Sequence, residues 1–512
     1  MNIFYPLQIP LQYSYSYEIL LESLITGLTT DLEKVRAIFI WVGSQRIKYL
    51  EDVMSDIKTP IGYMLYMKNG SGTYAEFFAH LCRFIDIPCV IVRGIAKGAR
   101  YEVGDEDLYD CRSVWNCVFI DGEWRIIHCH WAFTGLVGYN HGRWTTLEAE
   151  SRGMVDHQKP SGGYQVFGID EFYFLTDPDE FCYFCLPNEE MKRWQLLENP
   201  WTYQKFVSVP FLHESFFLYE MNLMFPEKGV IKAPDGQAEI RFKNNLDSEM
   251  LFSYRLYYDE RLPCKSTQDT LRLKSYSYIY TDRHKVSFVA RLPITGIYKL
   301  SIRAGWTRQE IVAEFQIHCT SPFPNCLPLP KNPTSGFGYN LRTKTNGLIL
   351  PSVYQGVVLT PKNLEKIFQF TISPGISVNS VLYHRFYNHQ KLQDCVSTTA
   401  SADNKVTIKV VIPMEVADDR LVLEINARDK KRSRPYRNVC NYLIQSKTEQ
   451  KTVNVPSQGQ AIDVYSRTVQ QGLISEIVNY RRPIRIIHDI MKATFILLGE
   501  EVEKLEVNLL IY

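Results

Sequence analysis

The sequence carries almost no surplus of charge. Fifty-seven Lys and Arg face 56 Asp and Glu over 512 residues, a net charge of +1. That balance argues against nucleic acid or an anionic membrane as a partner of the whole chain. No apolar run approaches the roughly 20 residues of a membrane span. The first residues, MNIFYPLQIPLQYSY, lack a basic segment, a long apolar stretch and a small-residue cleavage site. A cysteine framework is missing too: the 12 cysteines are scattered, and Cys182 and Cys185, spaced C-x-x-C, lack the second pair of a zinc ribbon. The chain therefore reads as cytoplasmic with reduced thiols, where the sequon Asn69-Gly70-Ser71 is idle. Neither a cofactor nor a metal is expected. One local concentration of charge stands out, at Arg428, Lys430, Lys431, Arg432, Arg434 and Arg437. It reads as a solvated loop between strands.

What is present is ordinary globular composition, 45% hydrophobic and 22% charged, in a chain long enough for about two to four domains. Residues 1–15 form an irregular lead-in. Helical spacing follows over Tyr17–Leu28. A second helix opens at Thr30, with Glu33 placed for a capping box and Leu32, Val35, Ile38, Phe39 and Val42 as its buried stripe. The stretch from Lys68 to Trp131 organises the rest. KNGSGTYAEFFAHLCRFIDIPCVIV reads as a loop entering a helix at Gly72–Thr73, then a buried strand from Cys89. Two further strands, Trp115–Ile120 and Trp124–Trp131, meet at Asp121-Gly122, a tight-hairpin signal.

These residues resemble the transglutaminase-like core, a papain-related cysteine-enzyme fold, and most specifically the kyphoscoliosis peptidase and hillarin family. The blocks DLEKVRAIFIWVGSQRIKYL, GGYQVFGIDEFYFLTDPDEF and WQLLENPWTYQKF extend the resemblance on both sides. It implies a nucleophilic Cys three residues before Tyr74-Ala75, a His two before Trp115-Asn116, and an Asp four after Trp124. In such a site the helix N-terminus and an imidazolium stabilise a thiolate, and a carboxylate orients the imidazole. The chain has Ser71, Ser113 and His128 at those positions. Ser113 cannot act as the base that Ser71 would need, so the catalytic positions read as a degenerate, inactive triad and the chain as a pseudoenzyme. The sequence offers two alternatives to this reading. Cys117 or Cys129 could be a shifted nucleophile, but both fall mid-strand, where a buried thiol is inert. His128 and His130, on one strand face, supply too few ligands for zinc.

The aromatic residues after Trp131 read as core. Residues 137–163 read as a long loop near the former active site and the first surface to suspect for partner contact. From about residue 206 short alternating strands begin (Gly236–Phe242, Leu251–Tyr258, Tyr276–Tyr280, Lys285–Leu292, Gly296–Ala304, Glu310–Cys319), the pattern of a β-sandwich. After a proline-rich spacer, Leu421–Ala427 echoes Tyr298–Ala304, and Asn346-Gly347 supplies a hairpin signal.

The expected fold is α+β: lead-in 1–15, transglutaminase-like domain 16–205, immunoglobulin-like sandwich 206–320, linker 321–333, second immunoglobulin-like sandwich 334–447 and helical tail 448–512. The expected function is a non-catalytic scaffold or adaptor. By resemblance its partners are cytoskeletal proteins of the filamin or septin type. The rivals are an active peptidase or transglutaminase relative using Ser71 or Cys129, and a small-molecule binder with an open apolar pocket near Ser71.

Overall fold

A computed structural model describes residues 9–108, 110–146, 156–157, 159–243, 250–259, 273–385, 392–430 and 435–445. The helical tail 448–512, the first eight residues of the lead-in and Lys431, Arg432 and Arg434 of the basic patch lie outside these. Described residues up to 141 and from 159 to 207 form one compact body. Those at 142–157 and from 208 to 445 form a second.

In the first body, α1 (Tyr17–Ile25) and α2 (Asp31–Ser44) lead in. The Thr30 hydroxyl accepts from the Glu33 N–H at 3.2 Å while Glu33 accepts from the Thr30 N–H at 3.1 Å, so the capping box is present. After α3 (Pro60–Lys68), α4 (Tyr74–Phe84) buries Phe77, Phe78, Leu81 and Cys82 against this helical layer. The strands are β1 (Cys89–Ala96), β2 (Arg112–Ile120), β3 (Glu123–Ile127), β4 (Thr134–Asn140), β7 (Ser161–Phe167), β8 (Phe174–Thr176) and β9 (Cys185–Pro187). Two short ones, β5 (Trp144–Thr146) and β6 (Asp156–His157), belong to the second body. The main sheet runs β8-β3-β2-β1-β9. Asp121 (φ 53°) and Gly122 (φ 83°) turn β2 into β3 with the left-handed pair a two-residue hairpin requires.

Two expectations fail here. The strand read as Trp124–Trp131 stops at Ile127, and Cys129–Phe133 forms a short helix, α5. His128 caps it, so His128 and His130 do not share a strand face. Residues 137–163 are not one long loop either, because β4 pairs with β7 across Thr134↔Phe167 to Asn140↔Ser161 and β5 joins another sheet. The aromatics Phe172, Tyr173, Phe181, Tyr183, Phe184 and Phe206 are buried, as the core reading expects, while Tyr164, Phe167 and Tyr203 of the same blocks are exposed and depart from it.

The second body holds two β-sandwiches. The first packs β11 (Asn222–Phe225), β13 (Gln237–Lys243), β16 (Lys285–Arg291) and β15 (Ser277–Asp282), in that order, in one sheet. Its other sheet runs β10 (Phe211–Leu212), β18 (Glu310–Cys319), β17 (Gly296–Gly305), β14 (Leu251–Asp259), β5, β6, and β12 (Val230–Ala233) runs parallel to β18. In the second sandwich one sheet is β19 (Leu348–Ile349), β21 (Glu365–Ile372), β24 (Lys405–Val411) and β23 (Val396–Ala400). The other is β20 (Val357–Leu359), β26 (Arg437–Gln445), β25 (Leu421–Asp429) and β22 (Ile376–Tyr383). Both have the ABED and GFC strand arrangement of immunoglobulin folds. The echo between Tyr298–Ala304 and Leu421–Ala427 is structural as well as verbal. Both stretches belong to the penultimate strand, in chain order, of their sandwich, and each carries a β-bulge directly after its isoleucine, Ile302 and Ile425.

Asn346-Gly347 does not make a hairpin. Gly347 (φ 84°) follows the short helix Leu341–Thr345, whose C-cap is Asn346, so the dipeptide ends a helix. Nor does the proline-rich connector stand free as a spacer. Leu329 and Phe337 enter an apolar cluster with Tyr278, Val289, Val422 and Leu443, and Phe337 exchanges backbone hydrogen bonds with β15 at 2.8 and 2.9 Å. Two apolar anchors decide this, Leu329 among the prolines and Phe337 after them, because each has a core to enter. Among the described residues no helix is long and apolar enough to cross a membrane.

Candidate functional site

The site is assembled where α4, β2 and α5 meet. Asn116, beside Trp115 on β2, donates from Nδ2 to the Ala75 carbonyl at 2.9 Å and pins the strand to the first turn of α4. Tyr74 touches His130 and Phe133 of α5, with ring centroids 6.0 and 5.5 Å apart. The frame implied by the resemblance is thus intact.

Ser71 lies in the exposed turn before α4, and its N–H donates to the Tyr66 carbonyl at 3.1 Å. The N-cap of α4 is Thr73, whose hydroxyl accepts from the Glu76 N–H at 3.1 Å and donates to the Glu76 carboxylate at 2.9 Å. Arg93 holds the other Glu76 oxygen at 3.0 Å. The helix N-terminus therefore already has an anion, a carboxylate with its own guanidinium partner. Among the described residues Ser71 is hydrogen-bonded to neither Ser113 nor His128.

Ser113 and His128 do come together. The Ser113 hydroxyl lies 2.9 Å from His128 Nε2, reaching across β2 and the end of β3. By distance this is a serine–imidazole pair, the geometry that would favour a working nucleophile. The proton decides against it. His128 Nδ1 accepts from the Trp131 N–H at 3.3 Å, capping α5. The ring is fully buried, stacked on Trp131 with centroids 4.6 Å apart and on Trp115 at 6.1 Å. Burial, helped by the neighbouring His130, pushes its pKa down to about 3, so the ring is neutral. A neutral ring whose Nδ1 accepts must carry its proton on Nε2. His128 therefore donates to Ser113 and has no lone pair with which to take the Ser113 proton.

The acid response follows with a definite sign. Unfolded, His128 titrates near 6.5; folded, near 3. Between these values the unfolded chain binds a proton that the folded one refuses, so stability falls as pH drops, by about 1.4 kcal/mol per unit. Above pH 6.5 this contribution is flat. His128→Phe keeps a ring between the two tryptophans and removes the titration. Urea denaturation at pH 7 and pH 5 should show a smaller acid loss in this variant than in the wild type, and equal losses would refute the assignment.

The shifted nucleophiles fare no better. Cys117 on β2 and Cys129, the first residue of α5 rather than a mid-strand residue, are both fully buried. Burial pushes both thiols up, well above the usual range for Cys129. The space beside Trp115, lined by Phe181, Cys182, Cys185, Trp194 and Gln195, leaves no room for a water-sized sphere and does not reach Ser71. Among the described residues no group of three or more His, Cys, Asp or Glu is placed to hold a metal ion.

Sequence reasoning missed Lys97. It sits in a stretch, Ala96-Lys97-Gly98-Ala99-Arg100, that reads as a polar excursion, yet Lys97 is 1% exposed. Its ammonium donates to the Phe206 carbonyl at 2.7 Å over the Phe206 ring, and burial lowers its pKa to about 7. No local signal marks it, because its burial is made by residues a hundred positions away.

A family model described as transglutaminase-like superfamily matches residues 19–129, and one described as KY-like, immunoglobulin-like domain matches residues 203–330. Hillarin of Drosophila melanogaster is 29% identical over 420 residues, 77% of this chain and 48% of the relative. The chain is thus similar to the hillarin and kyphoscoliosis peptidase family. The Lim and transglutaminase domain protein ltd-1 of Caenorhabditis elegans is 27% identical over 456 residues, 84% of this chain and 60% of the relative. The mouse kyphoscoliosis peptidase is 24% identical over 370 residues, 71% and 50%. The chain spans about half to three-fifths of the length of the curated relatives it matches. A transglutaminase-like domain followed by an immunoglobulin-like domain is thus the family architecture seen here.

Proposed function

We propose that the chain is a non-catalytic member of this family, a protein-binding scaffold or adaptor in the cytoplasm, associated with the cytoskeleton. The observation that carries the reading is that His128 Nδ1 accepts the Trp131 N–H, which leaves Nε2 to donate to Ser113 instead of accepting from it. Ser71, Ser113 and His128 then occupy the nucleophile, base and orienting positions without the chemistry of any of them. Supporting this, the charge-stabilising seat at the start of α4 is taken by Glu76. Cytoskeletal partners of the filamin or septin type rest on the family resemblance alone.

The test is reactivity of the full chain toward a fluorophosphonate and a thiol-directed electrophile, with Ser71→Ala, Ser113→Ala and Cys129→Ala alongside. Labelling no faster than that of a free alcohol or thiol is the expected result. Fast labelling at Ser113 or Ser71 that its own substitution abolishes would overturn the reading and make the 2.9 Å pair a working dyad.

A further inference from the structure

Sandwiches strung together by a connector ordinarily move against one another. In the second body the surfaces that such motion needs are covered. Along β15 and β16, Ile279 and Phe288 pair on the inner face, where Phe288 meets Phe242 and Phe252. Tyr278 and its partner Val289 are therefore on the outer face, yet they are only 4% and 6% exposed. Along β25 and β26, Leu423 and Tyr442 pair inside the second sandwich, so Val422, Glu424, Asn441 and Leu443 are outside. All four are buried, at positions a sandwich normally leaves to water. The connector covers both faces. Its Leu329 and Phe337 share one apolar cluster with Tyr278 and Val289 of the first sandwich and with Val357, Val422 and Leu443 of the second. Between them Lys331 pairs with Glu424 and donates to the Tyr383 hydroxyl at 3.2 Å.

Main-chain hydrogen bonds cross the same junction twice. The Phe337 N–H donates to the Ile279 carbonyl at 2.8 Å and its carbonyl accepts from the Thr281 N–H at 2.9 Å, both on β15. The next N–H, of Gly338, donates to the Asn441 carbonyl on β26 at 2.7 Å. Gly356 repeats the arrangement by itself. Its N–H donates to the Thr281 carbonyl in the first sandwich at 2.8 Å, and its carbonyl accepts from the Leu443 N–H in the second at 2.9 Å. Both glycines are required by the closeness of the backbones. A Cβ on Gly338 (φ 100°) would lie 2.4 Å from the Thr281 hydroxyl, and one on Gly356 would lie 2.3 Å from the Phe337 carbonyl oxygen.

We propose that the two sandwiches and their connector form a single rigid arm that opens as one cooperative unit. The outer faces of β15–β16 and of β25–β26 are then closed to partners. Two contacts made by the arm, one on each sandwich, are held at a fixed spacing instead of being joined by a flexible tether. The inference is independent of whether the first body is catalytic, so labelling of Ser71 or Ser113 leaves it standing.

The experiment follows hydrogen exchange of the full chain by mass spectrometry as urea is raised below the unfolding transition. Peptides from β16, from β24 and from the junction around Gly338 and Gly356 are read separately. In the wild type all three should share one opening transition. Ile408 on β24, buried in the core of the second sandwich and outside the junction cluster, supplies the coupling test. Ile408→Val should speed exchange of β16 in the first sandwich as well as of β24, about threefold or more in each. Leu329→Ala withdraws an anchor from the junction and leaves both cores whole. In that background β16 should respond less to Ile408→Val, and the junction peptides should exchange ahead of both cores. Gly356→Ala should do the same, and should it not fold, Leu329→Ala carries the test. Junction amides that exchange in the wild type as an open linker would overturn the proposal. So would a β16 indifferent to Ile408→Val, or a coupling that neither junction variant diminishes.

Discussion

Replacing His128 by Asp alone should cost about 3–5 kcal/mol, because it puts a carboxylate into a fully buried seat with only a hydroxyl and one backbone N–H beside it. Ser113→His alone should also destabilise, since a ring replaces a hydroxyl packed 2.9 Å from the fully buried His128. The double variant, Ser113→His with His128→Asp, rebuilds across the same 2.9 Å contact the imidazole–carboxylate pair that the family resemblance implies. Its loss should be smaller than the sum of the singles by about 1–3 kcal/mol. Chemical denaturation of the four proteins at pH 7 gives this coupling energy directly. Additive losses would mean that the serine and histidine occupy different seats from the expected pair.

Gly94→Ala should be comparably damaging, at about 3 kcal/mol or more. Gly94 pairs with Ser113 on one side and with Pro187 on the other. A methyl group there would lie 2.1 Å from the Leu186 carbonyl oxygen, 2.7 Å from the Trp115 ring and 2.8 Å from the Pro187 Cα. Two of these neighbours are backbone, so β9 must separate from β1 or the strand must shift. Trimming the ring with Trp115→Phe relieves only the ring contact, and Gly94→Ala should stay destabilising in that background. A substitution measured as neutral by urea denaturation would refute the close approach of β9.

What could be read from the sequence was local. Thr30 and Glu33 announce their capping box because both halves lie within one turn, and Asp121-Gly122 announces its hairpin because the positive φ angles are its own. The positions Ser71, Ser113 and His128 were legible only against a family frame, and the frame gave places without proton positions. That His128 donates to Ser113 depends on Trp131 capping through Nδ1 and on two tryptophans excluding water, neither of which the order of residues reveals. The helix α5 was hidden for a related reason. His128, Cys129, His130 and Trp131 alternate polar and apolar as a strand would, while the chain in fact enters a helix capped by the His128 side chain. Strand β5 has three residues and no pattern of its own; its partner lies more than a hundred residues away.

That short strand also decides what counts as a part of this protein. The segment matched by the immunoglobulin-like family model begins at residue 203, yet the sheet it describes is finished by Trp144 and Thr145. The module is discontinuous: residues 159–207, which belong to the first body, separate β5 and β6 from the rest of it. A fragment cut at the apparent boundary would leave the edge of β14 open and strand Asp259, 1% exposed, without the Arg143 guanidinium that neutralises it. Boundaries drawn along the sequence would divide a single folding unit, and any exchange of this module between proteins would have to carry two separate pieces of chain.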